Sequence, residues 1–204
     1  MLSVMSQELG LASADGAAAK DSDFAALLAK VKGNDRAAFG ELYRRAVTPV
    51  YRYLHARTGD VPRAEELTQE VFLAALAGLD GLRAADETQF LAWLFQIARY
   101  KLADHLRRRY RRPSEPLDEA RELPDGQASL EDLAASREQR AELRRALEQL
   151  TPEQREVVLY KYVLGYDNER TGRLVGKKAN AVNQLHHRAL ASLQRLLAKA
   201  GVSG

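Results

Sequence analysis

Apolar residues recur along this chain at spacings of three and four, the period of an α-helix, and nowhere alternate as a strand would require. Phe24, Leu27, Leu28 and Val31 begin the first stripe. After a Gly33-Asn34-Asp35 break, Phe39, Leu42, Tyr43, Ala46, Val50 and Leu54 carry a second, which Pro49 is expected to kink. Asp60 stands where it can cap a third helix, with Pro62 in the first turn and Leu67, Val71, Phe72, Leu76 and Leu79 on the buried side. Leu91, Leu94, Phe95, Ala98, Leu102 and Leu106 define a fourth. Together these elements predict a compact bundle that closes near Arg112.

There the pattern breaks. "PSEPLDEARELPDGQAS" carries three prolines, a glycine and many carboxylates, the composition of an interdomain linker. Helical periodicity resumes near Leu130, and "LTPEQ" is a start signal: Thr151 caps, Pro152 takes the first helical position and Gln154 completes a capping box. Gly165 is read as the end of that helix. Asp167 can cap a short one ending at Gly176, after which an amphipathic helix runs to Lys199 through Val182, Leu185, Ala189, Leu193 and Leu196. A short helix, a glycine turn and a longer helix make a helix-turn-helix pattern. The expected layout is all-α: residues 1–22 disordered, a helical bundle over 23–112, a flexible acidic linker over 113–129 and a helix-turn-helix domain over 130–200.

Composition narrows the chemistry. In 204 residues there is room for one or two small domains. Lysine and arginine number 31 against 28 acidic residues, a net charge of +3, so a polyanionic partner must be argued from where charge sits. The chain has no cysteine, which removes disulfides and thiolate metal sites, and His55, His105, His186 and His187 lack ligand spacing. Neither a phosphate-cradling glycine loop nor a nucleophile motif is present, so the expectation is a non-enzyme without cofactor or metal. No apolar run reaches the roughly 18 residues of a membrane span, and the first residues lack a cationic flank with an apolar core, which points to the cytoplasm.

Three stretches carry candidate function. In "QFLAWLFQIARYKLADHLRRRYRR", Trp93, Gln96, Tyr100 and Arg107 share one side of a helix away from its apolar stripe. Arg99, Lys101, Arg107, Arg108, Arg109, Arg111 and Arg112 add a basic track able to follow phosphates. Aromatics beside such a track suit unpaired bases, since stacking contributes about 1–3 kcal/mol per base. A partly buried core aromatic with a solvated helix end accounts for the same residues. In the third helix, Glu66, Gln69, Glu70 and Leu73 form an outward face, acidic with an apolar end, that suits a basic protein helix or plain solvent. In the last helix Lys177, Lys178 and Asn180 lead into Asn183, Gln184, His187 and Arg188, a set able to read bases and hold phosphates in a major groove.

The order of "DVPRAEELTQEVFLAAL", "FLAWLFQIARYKLADHLRRR" and "LEQLTPEQREVVLYKYVLGYDNERTGRLVG...AVNQLHHRALASLQRLL" resembles the extracytoplasmic-function (group IV) sigma factors of bacterial RNA polymerase, of the sigma-70 family, over about Phe24 to Leu197. The resemblance implies two helical domains, sigma-2 and sigma-4, and a factor that directs core polymerase to promoters without catalysing a reaction. It gives Asp60, Glu65, Glu66, Gln69, Glu70 and Phe72 to docking on the beta-prime clamp helices. Leu82, Arg83, Trp93, Gln96, Arg99, Tyr100, Lys101, Arg107 and Arg108 go to the minus-ten element, with Leu82 and Arg83 in the loop that captures a flipped base. Lys177, Lys178, Asn180, Asn183, Gln184, His187 and Arg188 go to the minus-thirty-five element, and their domain to the beta flap. The linker is implied to pass near the active centre, and an anti-sigma protein is a further partner the family implies.

Departures from the family pattern are local. Tyr100 replaces a common asparagine in "IARN", Lys178 stands where a serine often caps, and Gly172 stands for an alanine. That glycine is expected to cost roughly 0.5–1 kcal/mol of helix stability unless packing demands it. Two other functions fit part of the pattern: a free-standing helix-turn-helix regulator of duplex DNA, and an adaptor that binds polymerase without initiating.

Overall fold

The computed structural model describes residues 14–111 and 130–200, and for 14–22, 109–111 and 130–137 the backbone alone. Eight α-helices account for almost all of it: α1 (Ala14–Lys32), α2 (Arg36–Thr58), α3 (Val61–Gly78), α4 (Glu87–Arg111), α5 (Leu130–Gln149), α6 (Pro152–Val158), α7 (Asn168–Val175) and α8 (Ala179–Lys199). No strand occurs among the described residues. The linker expected over 113–129 lies outside them.

Local chemistry sets most helix ends. Asp35 accepts hydrogen bonds from the backbone N–H of Ala37 and Ala38 at the start of α2, and Asp60 accepts one from Arg63 at the start of α3. Thr151 and Gln154 form the reciprocal capping box of α6, and Asp167 caps α7. Two boundaries differ from the sequence expectation. Helix α1 begins at Ala14, because the alanine-rich "ADGAAAK" favours a helix by propensity without an apolar stripe to announce it. Between α6 and Gly165, residues Leu159–Val163 form a π-helical turn, a local widening that periodicity does not signal. Helix α2 runs through Pro49 as one element.

In the first half, α1 packs on α2, and α2, α3 and α4 pack on one another around Leu42, Val50, Leu54, Leu67, Val71, Leu94 and Phe95. In the second, α5, α6 and α7 each pack on α8, which turns Val182, Ala189 and Leu193 inward. Leu76, expected inside, is half exposed because three residues after Leu73 it shares that residue's outward side.

The halves also meet. Helix α4 packs on α7 and α2 packs on the π-helical turn, so that buried apolar side chains from both halves form one continuous cluster. At its centre the rings of Tyr53, Phe95 and Tyr160 lie within 5.0–6.2 Å of one another, centroid to centroid. Such tilted ring pairs add about 0.5–1.5 kcal/mol each beyond their burial.

The structure accounts for Gly172 in α7. A Cβ on it would stand 2.4 Å from the Lys177 carbonyl oxygen, in the turn where the Lys177 N–H donates to the Gly172 carbonyl at 2.8 Å. Packing therefore demands glycine, and the left-handed Gly176 (φ 69°) completes the reversal that sets α7 against α8. We expect Gly172→Ala to lower stability by about 1–3 kcal/mol despite alanine's higher helix propensity. Thermal unfolding followed by circular dichroism reads the sign directly; a rise in Tm would show that the turn yields instead.

Candidate nucleic-acid and partner interfaces

Helix α3 turns its Leu67, Thr68, Val71 and Phe72 side inward, and this leaves the opposite side free. Glu66, Gln69 and Leu73 are exposed there, Leu73 to 68 %, and Glu70 is half-buried. Leu76 and Tyr43 widen the apolar part, Tyr43 standing edge-on to Phe72 at 4.6 Å. Beside them a shallow hollow between α2 and α3 is lined by Tyr43, Val47, Thr48, Tyr51, Glu65, Thr68 and Gln69. An apolar centre with a carboxylate rim is the surface a cationic, amphipathic helix would cover. Two residues given to this face have other duties: Asp60 is the helix cap, and Phe72 is buried with its ring forming the floor beneath Tyr43.

Helix α4 offers a second outward side. Gln96, Tyr100, Arg107 and Arg108 are exposed, Tyr100 to 66 %. Trp93 is half-buried, its ring 6.0 Å from that of Phe90 and against Gly78. Leu82 is buried and its carbonyl accepts from Lys32, while Arg83 beside it is exposed. Lys101 is tied to Glu70 of α3 at 3.2 Å, which joins the basic and acidic sides at their border. Arg99 leaves the basic track altogether: its Nη1 donates to Glu156 at 3.2 Å and to the Tyr160 hydroxyl at 3.0 Å, both from the other half of the chain. The side chains of Arg109 and Arg111, and Arg112, lie outside the described residues.

Helix α8 presents the third surface. Lys178, Asn180, Asn183, Gln184, His187 and Arg188 are all exposed, and Lys177 is half-buried against Glu153 at 2.8 Å. Because Val182 and Ala189 anchor the opposite side, the exposed residues form one continuous stripe from the helix start. Its flank holds a contact not foreseen: the Tyr162 hydroxyl lies 3.0 Å from His186 Nε2, and burial, then Lys161 and His187, push the His186 pKa down.

Sequence reasoning also missed a buried carboxylate. The Glu156 carboxylate, from the "REVV" run of α6, accepts from the Tyr53 hydroxyl at 2.7 Å and from Arg99, with Arg57 at 4.0 Å. Burial, reinforced by Glu156, pushes the Tyr53 and Tyr160 hydroxyls well above the usual tyrosine range, so both stay protonated. A charged residue on an otherwise apolar stripe was the available signal. No group of three or more metal-ligating side chains occurs among the described residues.

Comparisons with known proteins follow the same division. Residues 42–112 match the model for Sigma-70 region 2 and residues 140–193 that for Sigma-70, region 4. The chain is 35 % identical over 182 residues to the ECF RNA polymerase sigma factor BldN of Streptomyces coelicolor, covering 88 % of this chain and 69 % of the relative. It is 33 % identical over 180 residues to ECF RNA polymerase sigma factor SigD of Mycobacterium tuberculosis, 86 % of this chain and 84 % of that one. Among solved structures, the sigma factor RpoE in complex with the anti-sigma factor NepR from Bartonella quintana shares the fold at a TM-score of 0.51 and 24 % identity, over 78 % of this chain and 96 % of that one.

The geometry separates two aromatics that look alike in sequence. Trp93→Ala removes packing against Phe90 and is expected to cost about 2–3 kcal/mol of stability. Tyr100→Ala, on the exposed side, is expected to stay within about 0.5 kcal/mol. Chemical denaturation of the two variants checks this, and equal losses would contradict the placement of one of them.

Proposed function

The chain belongs to the extracytoplasmic-function RNA polymerase sigma factors, and from that membership we propose how its surfaces divide the work of promoter-specific initiation. It binds core RNA polymerase and promoter DNA, and it is an initiation factor rather than an enzyme. The acidic side of α3, with Glu65, Glu66, Gln69 and Glu70 around exposed Leu73, docks on the beta-prime clamp helices. The outward side of α4, with Gln96, Tyr100, Arg107 and Arg108, takes the minus-ten element, and the α8 stripe takes the minus-thirty-five element. The observation that carries this division is that each of the three helices keeps one side out of the core while its other side is buried.

The mechanism is binding energy applied to strand separation. Unstacking a promoter base costs a few kcal/mol, and base capture on an aromatic beside a cationic track offsets it in part. Tyr100 is the aromatic with a free face for that task. Trp93, half-buried against Phe90, and Leu82 with Arg83 in the preceding loop belong to the same proposed surface. Among the described residues no helix is long and apolar enough to cross a membrane; we place the chain in the cytoplasm with the polymerase it serves, and take an anti-sigma protein as a further partner.

Run-off transcription with purified core polymerase over a promoter library from the host tests the assignment. We expect transcripts restricted to particular promoters, lost at least about tenfold, the equivalent of 1.4 kcal/mol, when Glu66 and Gln69 are both changed to Ala. Core binding without transcripts would favour the adaptor, and duplex binding without core the free-standing regulator. Tyr100→Ala is expected to impair initiation on duplex promoters more than on pre-melted ones, and equal loss on both would count against a melting role.

A further inference from the structure

The loop between α3 and α4 is held at both ends by α4. At its start Gly78 lies against Trp93, where an added Cβ would stand 3.0 Å from the ring. At its end Asp86 and Gln89 make a reciprocal cap: the Gln89 N–H donates to Asp86 at 2.8 Å, and the Gln89 side chain accepts from the Ala85 N–H at 3.1 Å. Between these points runs a short turn, Leu79–Gly81, closed by the Leu82 N–H on the Leu79 carbonyl, and then a buried Leu82 beside an exposed Arg83.

One contact on this loop comes from further away. The Lys32 ammonium, on the last residue of α1, donates to the Leu82 carbonyl at 2.5 Å, across 50 positions of sequence. A lysine in the last turn of a helix often serves the carbonyls of its own helix end. Here main chain closes that end: the Gly33, Asn34 and Asp35 N–H groups donate to the carbonyls of Ala29, Val31 and Lys30, with Asn34 in the left-handed region at φ 63°. Helix α1 is itself set against α4 through Phe24, whose ring lies 5.7 Å from that of Phe90. Lys32 is therefore available to the loop, and its bond fixes main chain at the residue immediately before Arg83. It stands outside the acidic, basic and polar surfaces assigned above, none of which uses it.

Resting on the sigma-factor reading above, with Leu82 and Arg83 in the minus-ten surface, we propose that Lys32 is a positioning residue for base capture: by holding the Leu82 carbonyl it presets the main chain from which Arg83 meets an unpaired minus-ten base. A bond from a charged donor is stronger than a neutral one, and a loop already ordered binds without the cost of ordering on contact. Lys32 acts through the loop and not on DNA phosphate. Its removal leaves every base-contacting side chain present and weakens capture through the cost of ordering the loop.

Lys32→Met removes the donor and keeps the aliphatic stem, while Lys32→Arg restores a donor. Hydrogen exchange of the full chain, read on peptides spanning 79–86, is expected to quicken about tenfold in Lys32→Met, the equivalent of 1.4 kcal/mol. It should return toward the parent in Lys32→Arg, with the cores of α2 and α3 unchanged in both. The functional arm uses core polymerase carrying the parent or a variant on a promoter found by run-off, pre-melted over the minus-ten element, with an abasic residue scanned along each strand in turn. At the positions where the parent loses affinity, Lys32→Met should bind the intact strand about tenfold more weakly and the abasic strand as the parent does. Affinity against salt should keep the parent's slope, whereas a lost phosphate contact would flatten it by about 0.7. Equal loss on intact and abasic strands, a flatter salt slope, or loop exchange unchanged in Lys32→Met would each overturn the proposal. Run-off without abasic sensitivity in the parent refutes base capture while the sigma reading stands; no transcripts from the parent removes the sigma reading itself, and the proposal with it.

Discussion

One buried carboxylate constrains the arrangement of the whole chain. Glu156 is almost entirely removed from solvent, and an ionised carboxyl there is tolerated only if donors meet it. Those donors come from outside its own half: the Tyr53 hydroxyl from α2 and the Arg99 guanidinium from α4. Helices α2 and α4 therefore reach α6 together, and the tilted ring contacts of Tyr53, Phe95 and Tyr160 lie in the same seam. The π-helical turn just after α6 brings Tyr160 into the same cluster, so a local departure from helical winding serves a contact between halves rather than within one.

The outward surfaces are what remains once that interior is satisfied. Each of α3, α4 and α8 gives its apolar stripe to the core, and the side left over differs in charge: acidic around an apolar centre, basic with an aromatic, and polar with amides. Where the α3 and α4 sides border each other they interact, as Lys101 with Glu70 shows, and the start of the α8 stripe pairs with α6 through Lys177 and Glu153. These ion pairs are partly exposed and contribute little to stability, about 0–1 kcal/mol each. They are readily exchanged for a partner's charges, which suits surfaces that bind by exchange.

Much of this was legible in the sequence because helical periodicity and capping are local properties. Asp60, Thr151 and Asp167 announce their helices, and the structure uses each as a cap. The α8 stripe was readable residue by residue for the same reason: burial of Val182 and Ala189 fixes the side that holds Asn183 and Gln184. Long-range pairing was not readable. Nothing near Arg99 distinguishes it from Arg107, yet one is bound to residue 156 and the other faces solvent. Trp93 and Tyr100 likewise differ only through what Phe90 and Gly78 do around the first of them. Gly172 lay between these cases: the sequence marked it as unusual, and only the approach of the Lys177 carbonyl explains it.

The anchoring of α8 has an evolutionary reading. Its inward residues Val182, Ala189 and Leu193 hold the helix, while the six exposed positions from Lys178 to Arg188 touch almost nothing in the interior. Substitutions among those six can drift with little penalty in folding. Duplicated copies of such a gene are therefore free to acquire divergent target sequences quickly, retaining one scaffold while the genome accumulates separate regulatory circuits.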